Sequence, residues 1–261
     1  MLKYLSLLRS FFFASAISDL EYRLNITIKI VTDIIWYGAQ LSVFEVLFRH
    51  ANNISGWTIE STRVFMGVLF VVDACWMLLF SENLDRMSDK VRKGELDLLL
   101  SKPVNSQFMM SFQRLNTPYV VNIFIAGGWL LYALGQVGGV EWIRVFLLII
   151  LVPCSLAITY GIRFMFSASA LVFTRAENIN YVWYQIYRLG MRPDSIYPPW
   201  MRYVVLTILP VGFLASVPAR LLLNKGELTL IFGSIGIATV VVICSTKFWN
   251  WALKHYASAS S

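Results

Sequence analysis

Four charged side chains interrupt long apolar stretches of this sequence, where they could carry ions or protons through a hydrophobic medium. They are Asp33, Glu45, Asp73 and Arg163. An unpaired charge in hydrocarbon costs about 2.5–3.5 kcal/mol on insertion scales, so each must face protein, water or an interface. One interpretation is a transport pathway or a proton relay. The other, which we favour for each residue taken singly, is pairing between helices or, for Arg163, a side chain that extends to the interface.

The other reactive side chains form no recognisable centre. The three cysteines lie far apart inside apolar runs, without a CxxC pair, and behave as small buried hydrophobes. His50 and His255 have no metal-ligand spacing around them. The sequence has no GxSxG or HExxH motif and no clustered acid pair in a polar loop. It therefore predicts no catalytic residue and no metal site. A membrane enzyme that acts on lipid stays an alternative, although it would need a polar cluster at one interface and the candidates here are scattered.

The composition indicates a membrane protein. Of 261 residues, 57% are hydrophobic and only 14% are charged, whereas soluble domains have about 45–50% apolar and about 25% charged residues. The net charge of +7 is explained by basic loops on one side of a membrane. No basic patch is interleaved with aromatic residues, so we expect membrane lipid around the chain and no nucleic-acid partner.

Six apolar runs have the roughly 20 residues that a transmembrane helix needs. We place them at residues 28–48, 63–81, 112–134, 142–173, 202–223 and 229–251. Before them, Leu5, Leu8, Phe12 and Ile17 recur at helical spacing among charged residues, which predicts an amphipathic helix in the interface. The fold class is therefore an all-α polytopic membrane protein with six transmembrane helices and an N-terminal interfacial helix.

The sequence shows no linker and no second domain, so we expect one transmembrane domain over residues 1–261. It divides into the interfacial helix (1–27), the six spans (28–251) with a polar loop at 82–111, and a tail (252–261). Basic residues concentrate in the loops between spans two and three and between spans four and five, which places both termini in the cytoplasm. These residues are Arg86, Lys90, Arg92, Lys93, Lys102, Arg175, Arg188, Arg192 and Arg202.

Two features bear on how the spans bend and where the chain rests on the membrane. Pro153, Pro210 and Pro218 lie inside predicted spans, where proline removes a backbone hydrogen bond and kinks a helix. The kinks suit helices that change angle during transport, and equally suit simple packing. The aromatic, amphipathic segment Tyr181–Gly190 is placed on the cytoplasmic surface, with a short re-entrant element as the alternative.

The polar loop contains the stretch VRKGELDLLLSKPV, from Val91 to Val104. Its spacing predicts a short helix whose apolar face is formed by Leu96, Leu99 and Leu100. Carboxylates at Glu95 and Asp97 suit the start of that helix, Gly94 gives it a flexible entry, and Pro103 ends it. Such a helix can dock into a groove of a partner or rest on lipid headgroups.

The sequence GELDLLLSKPVNSQFMMSFQR resembles the G-E-L-D-x-L-L-x-K-P-V block that permeases of an ABC-type exporter family carry after their second span. Two further stretches are similar to that family, SIYPPWMRYVVLTILPVGFLASVPARLLL and the ending FWNWALKHYASASS. Together the three stretches cover about a quarter of the chain, in the order and spacing of the family. The resemblance implies a type-2 ABC permease fold.

In the family that the chain resembles, the loop after span two is the contact with the ATPase. The resemblance carries this role onto Gly94, Glu95, Leu96, Asp97, Lys102 and Pro103, and Leu99 belongs to the same predicted docking face. The family works with two ATPase copies and with a second permease, identical or homologous. Those implications agree with the docking helix that charge and periodicity indicate.

The chain has no GxxxxGK[ST] phosphate loop and no polar region large enough for a nucleotide domain. We therefore expect it to bind no cofactor and to lack catalysis of its own, with ATP and Mg²⁺ on a separate ATPase subunit. The function implied is the permease subunit of an ATP-driven exporter of an amphiphilic or hydrophobic substrate across a bacterial inner membrane. The alternatives are an ATP-independent transporter or channel that uses the intramembrane carboxylates, and a membrane scaffold.

Overall fold

The computed structural model describes residues 2–138, 141–172, 178–223 and 229–256, which form helices and a single isolated bridge between Ile54 and Trp57. Arg175 and the tail from residue 257 onward lie outside the described residues. The helices are α1 (Leu2–Glu21), α2 (Arg23–Phe48), α3 (Ile59–Trp76), α4 (Glu82–Asp85), α5 (Met87–Arg92), α6 (Glu95–Leu100), α7 (Ser106–Phe112), α8 (Tyr119–Val137), α9 (Trp142–Ala168), α10 (Ile179–Gly190), α11 (Pro199–Tyr203), α12 (Ser216–Leu222) and α13 (Thr229–His255).

The predicted interfacial helix and the first span meet at a turn around Tyr22. The first span begins at Arg23, five residues before the predicted boundary. Phe11, Ser15 and Asp19 face protein at helical spacing, so the face of α1 that contacts the bundle is partly polar. Leu5 and Ile17, from the predicted apolar face, are instead exposed and are free to meet lipid.

The second span is longer than predicted. The helical segment that starts at Ile59, which we call the central rod, continues to Arg92, whereas the sequence predicted its end at residue 81. A π-helical turn, Met77–Ser81, joins α3 to α4. Beyond it, α4 and α5 follow with one turn residue, Arg86, between them, and Arg86 pairs with Glu82 at 3.4 Å. The predicted polar loop 82–111 is therefore a chain of four short helices.

The long helix α3 forms the centre of the bundle. It runs antiparallel to α2, where Tyr37 stacks on Phe70 at 4.3 Å between ring centroids. It also runs antiparallel to α8, where Gly67 lies so close to Leu130 that an added Cβ would be 2.9 Å from the Leu130 Cα. We call the end of the bundle that holds α5–α7 the near end, and the end that holds the turn from Phe48 to Ile59 the far end.

Helices α9 and α13 pack side by side and run parallel, from the far end to the near end. Gly161 faces Val241, with an added Cβ only 2.6 Å from the valine side chain. Farther along, the Phe164 and Trp249 rings meet edge to face at 5.2 Å. Because α9 ends at the near end and α13 begins at the far end, the chain between them must cross the bundle, and α10 makes this crossing.

Helix α10 corrects the placement of Tyr181–Gly190 on the membrane surface. Its side chains follow α3 from the near end towards the far end. Asn180 donates to the Asp85 carbonyl at 3.1 Å, Tyr187 donates to Asp73 at 2.8 Å, and beyond the helix Ser195 accepts from the Trp57 indole at 2.8 Å. The chain therefore crosses the bundle here, because polar partners on α3 and in the far-end turn receive its polar side chains.

The predicted fifth span at residues 202–223 is wrong, because this segment folds back on itself. The segment bends by 82° between its two arms, Pro199–Ile208 and Val211–Leu222. Arg202 and Arg220 both reach one Asp194 carboxylate oxygen, at 2.8 and 3.4 Å, although 18 helical residues would separate them by about 27 Å. The arms form a re-entrant hairpin that starts and ends at the far end.

The bundle thus has six passages, as predicted, with a different fifth member. Among the described residues, five helices are long and apolar enough to cross a membrane, and α10 with the segment to Ser195 makes the remaining passage. The third span also differs, since α8 begins at Tyr119 and not at residue 112. Residues before it form α7 and a turn in which Asn116 donates its N–H to the Leu78 carbonyl at 3.0 Å.

Candidate functional site

The predicted docking helix is α6, and the structure turns its predicted face inward. Gly94 precedes it with φ of 72°, in the left-handed region that glycine tolerates best. Leu96 and Leu99 are buried, at 0% and 5% exposure, whereas Leu98 is 70% exposed. The face predicted to meet a partner, formed by Leu96, Leu99 and Leu100, is therefore mostly packed against other parts of this chain. The outward apolar surface is Leu98 with part of Leu100.

The buried leucines of α6 join a hydrophobic cluster at the near end. This cluster includes Trp76 and Leu84 from the central rod, Met110 from α7 and Trp249 from α13. Glu95 is exposed beside them, and Asp97 is half-buried. Helix α6 therefore packs, through this cluster, against three of the membrane-crossing helices, α3, α9 and α13.

Polar contacts fasten the α6–α7 segment to the same helices. Asn83 forms a two-way bond with the backbone of Arg114, donating to its carbonyl and accepting its N–H at 3.1 Å. Tyr160 of α9 contacts Ser111 at 2.8 Å. The indole of Trp249 donates to Ser106 at 2.9 Å. These bonds hold α7 against α4, α9 and α13.

The segment after α6 contacts the N-terminal helix. Lys102 and Pro103 are exposed in the turn that follows Leu100. The Lys3 ammonium donates to the Pro103 carbonyl at 3.2 Å, and Tyr4 meets Phe108 edge to face at 4.8 Å. The start of α1 therefore lies against the predicted contact region.

An ion-pair junction that sequence reasoning missed joins α1, α4 and the turn before α8. Arg114 binds Asp19 at 2.8 Å and Glu82 at 3.1 Å. The hydroxyl of Thr117 donates to the second Asp19 oxygen at 2.6 Å. Asp19 is buried, so its charge depends on these donors. The available signal was an acidic residue inside the predicted amphipathic helix and an arginine just after the GELD block.

Arg163 lies inside the bundle and does not reach the interface. Its side chain has 0% exposure and pairs with Asp85 at 2.6 Å. It also donates to the Asn180 side chain, and its guanidinium lies 5.9 Å from the Trp183 ring centroid. The cluster joins α9, the base of the central rod and the start of α10. Of the two interpretations of Arg163, the contacts favour pairing between helices.

Tyr184 completes this cluster by donating to Asp85 at 2.9 Å. Asp85 accepts hydrogen bonds from both Arg163 and Tyr184, and these bonds fix the position of α10 along the central rod.

Glu45 forms an ion pair at the far end. Arg63 of α3 contacts one Glu45 oxygen with two nitrogens, each at 2.7 Å. Arg63 also donates to Gln136 of α8 at 3.4 Å. This side chain therefore ties α2 to α3 and α8, which favours an interhelical role for Glu45.

Asp33 and Asp73, in contrast, both line a cavity of about 960 Å³ between α2, α3 and α10. Asp33 accepts from Asn122 of α8. Asp73 is buried and accepts from Tyr187 at 2.8 Å. Within the described ranges, no Lys, Arg or His nitrogen comes within 4 Å of either carboxylate. These two residues are thus the members of the predicted polar set that face open space.

The three predicted kink prolines occupy different kinds of position. Pro210 lies at the break between the hairpin arms, next to the π-helical turn Val204–Ile208. Pro218 lies in the first turn of α12, where its missing N–H costs no helical bond. Pro153 lies within α9, which continues from Trp142 to Ala168. The sharp bend therefore belongs to Pro210 and not to Pro218.

The described residues form the helical bundle of a multi-pass membrane protein. A family model described as ABC-2 family transporter protein matches residues 34–260. The chain therefore belongs to the ABC-2 transporter family, as its resemblance implied. No curated protein and no solved structure matches it. Across the described part of the chain, no three His, Cys, Asp or Glu side chains come together as a metal site.

Proposed function

We propose that this chain is the membrane subunit of an ATP-driven exporter in a bacterial inner membrane. Two copies, or this chain and a homologue, would pair, and two ATPase subunits would bind ATP and Mg²⁺ at the near end. Both termini would then be cytoplasmic, and the cargo would be amphiphilic or hydrophobic. Membership of the ABC-2 family supports the permease role, and ATP dependence, export and the pairing are parts of the proposal.

The observation that carries the proposal is the two-sided environment of α6. Leu98, 70% exposed, and the charged Glu95 form an outer surface suited to a groove on a soluble partner. The opposite surface, through Leu96, belongs to the near-end cluster shared by α3, α7, α9 and α13. Closure of two ATPase subunits would move α6, and this cluster together with the Arg114 junction would pass that movement to the spans.

The first experiment is co-purification of the complex in mild detergent, followed by an ATPase assay. The double variant E95K/D97K reverses charge at the start of α6, and we expect it to lose the ATPase subunit or to uncouple hydrolysis from transport. The matched control is E21K, which reverses an exposed carboxylate at the end of α1. Unchanged assembly and unchanged transport in E95K/D97K would contradict the role given to α6.

A second candidate function, an ATP-independent transporter, is favoured by one observation, namely that Asp33 and Asp73 line the cavity with no described Lys, Arg or His nitrogen within 4 Å of either carboxylate. The same co-purification separates the two candidates. A stoichiometric ATPase subunit that is lost when α6 is altered supports the ABC mechanism. A pure oligomer of this chain with no ATPase would support transport through the carboxylate-lined cavity alone.

A further inference from the structure

The cavity between α2, α3 and α10 has the size and wall chemistry of a site for a drug-sized molecule. Its volume of about 960 Å³ lies at the upper end of the range for small-molecule pockets, about 300–1,000 Å³. The wall is largely apolar and aromatic, with contributions from Trp36, Phe44, Phe48 and Trp57. A molecule with a large apolar body would therefore bury most of its surface here.

The two charged side chains of this cavity that are buried or half-buried, Asp73 and Asp33, are both acidic. Asp73 has 6% exposure, and its only polar partner among the described side chains is the Tyr187 hydroxyl at 2.8 Å. Asp33 is half-buried and accepts an amide N–H from Asn122. A neutral donor does not cancel the charge of a carboxylate, and a buried carboxylate without a cation is costly.

The cations nearest in the chain are engaged elsewhere or exposed. Lys29, one helical turn before Asp33, donates to the Asn116 side chain at 3.0 Å. Arg188 and Arg192 also line the cavity, but both are exposed to solvent, and neither comes within 4 Å of an aspartate. Lys29 acts on Asp33 electrostatically, but no described Lys, Arg or His nitrogen comes within 4 Å of either carboxylate, so the cavity leaves room for a bound cation to supply the close countercharge.

Aromatic rings stand where they would face such a countercharge. Tyr184 and Tyr187 line the cavity from α10, and Trp36 lines it from α2, within one turn of Asp33. The faces of aromatic rings attract organic cations, and the interaction is strongest when the cation is desolvated. Carboxylates and rings on the same wall select a cation with little hydration, such as a substituted ammonium or phosphonium, over a small hydrated metal ion.

We propose that this cavity binds amphiphilic organic cations, with the charged centre between Asp33 and Asp73 and the apolar body against the aromatic wall. That the bound cation is the exported cargo rests on the proposed function. Binding to the cavity does not, because the site lies within one chain and needs no ATPase. The two ideas can therefore fail separately.

The test uses the full chain in lipid nanodiscs, with empty nanodiscs as the blank. Rhodamine 6G, a permanent organic cation, serves as the probe, and its fluorescence anisotropy reports binding. Tetraphenylphosphonium and tetraphenylborate are competitors of nearly identical shape and opposite charge. At equal free concentration, we expect the phosphonium ion to displace rhodamine 6G and the borate ion to leave it bound.

The variants D33N and D73N keep the shape of each side chain and remove its charge. Asparagine can still accept the Tyr187 hydrogen bond, so D73N should remain folded. We expect each variant to weaken rhodamine 6G binding at least tenfold, and E141Q, an exposed carboxylate at the far end, to leave it unchanged. Equal displacement by the two competitors in the unmodified chain, or unchanged affinity in folded D33N and D73N, would overturn the proposal.

Discussion

At the scale of single residues, the charged side chains in the apolar runs divide into two kinds. Glu45 and Arg163 each face an oppositely charged group on another helix. Asp33 and Asp73 face a cavity. Apolar periodicity in the sequence locates all of these residues at membrane depth, but it cannot distinguish the two kinds, because the distinction depends on which helices are neighbours.

The Arg163–Asp85 pair leads to a stability prediction. D85N would leave the Arg163 guanidinium buried without its carboxylate, which costs about 3–5 kcal/mol. Asp85 keeps 32% exposure, so solvent should reduce this cost towards the lower bound. We expect a clear drop in the thermal unfolding temperature of the detergent-solubilised chain, and we expect the double variant D85N/R163M to regain much of it.

The matched control for D85N is D89N. Asp89 pairs with Arg92 at 3.0 Å, but both side chains are more than half exposed, and such pairs contribute about 0–1 kcal/mol. If D85N and D89N lower the unfolding temperature equally, the buried Arg163–Asp85 pair contributes no more to stability than an exposed pair. The same result in D85N and in D85N/R163M would mean that the unpaired cation is not the cause of the loss.

At the scale of helices, close contacts depend on glycines that the sequence does not mark by a motif. An alanine at Gly67 would place its Cβ 2.9 Å from the Leu130 backbone, whereas Gly127 on α8 has no atom within 4 Å of its Cβ position. Overpacking costs about 1–3 kcal/mol, and replacing a helical glycine by alanine recovers about 1 kcal/mol. We expect G67A to lower the unfolding temperature and G127A to leave it unchanged or raise it.

The comparison of G67A with G127A is made by thermal unfolding in one detergent. Both changes are chemically identical and both lie in apolar helices, so lipid and detergent effects should cancel. A decrease in G127A as large as in G67A would show that the separation of α3 and α8 does not depend on the missing Cβ.

Helix existence and type followed from the sequence, but the identity of the fifth passage did not. Residues 202–223 are as apolar as a span, and Tyr181–Gly190 is amphipathic, so hydropathy favours the wrong one. The hairpin is decided by Asp194, which receives Arg202 and Arg220 together. The crossing of α10 is decided by Asp73 and Asp85 on another helix. Both are long-range pairings that periodicity does not contain.

At the near-end site, too, the sequence predicted local features correctly but not the long-range contacts. Local pattern predicted the limits of α6, including the glycine at its start and its end before Pro103. It assigned the wrong face to the partner, because six residues of helix with four leucines have apolar side chains all round. Only the neighbours of Leu96 and Leu99 in the near-end cluster determine which face is already occupied.

At the scale of the whole molecule, lysines distinguish the two ends of the bundle better than arginines do. Arg192 and Arg202, counted in the sequence as cytoplasmic, lie towards the far end near Asp194, where Arg202 is paired. Every lysine that the structure describes lies in a near-end segment or in the near-end part of a helix. These lysines are Lys3, Lys29, Lys90, Lys93, Lys102, Lys247 and Lys254. Applied to these lysines, the positive-inside rule predicts that the near end faces the cytoplasm, as in the proposed function.

This orientation can be tested by labelling single cysteines in intact cells with a maleimide that cannot cross the membrane. In a background with Cys75, Cys154 and Cys244 replaced by serine, we expect I196C to be labelled from outside. We expect K93C to be labelled only after the cells are opened. Labelling of I196C only in opened cells would contradict the crossing by α10 or the orientation, and the result for K93C would show which of the two is wrong.

The inward turn of the leucines in α6 has a consequence for how such subunits diverge. Leu96 and Leu99 belong to the same hydrophobic cluster as the membrane helices, so changes there should be tolerated only with matching changes elsewhere in this chain. Leu98 and the outer part of Leu100 lie outside this cluster of described residues, so their side chains can vary with the surface of the proposed partner. If the ATPase subunit docks on α6 as proposed, a hybrid transporter could exchange that subunit by grafting the outward residues of one short helix, while the inward residues stay with the host.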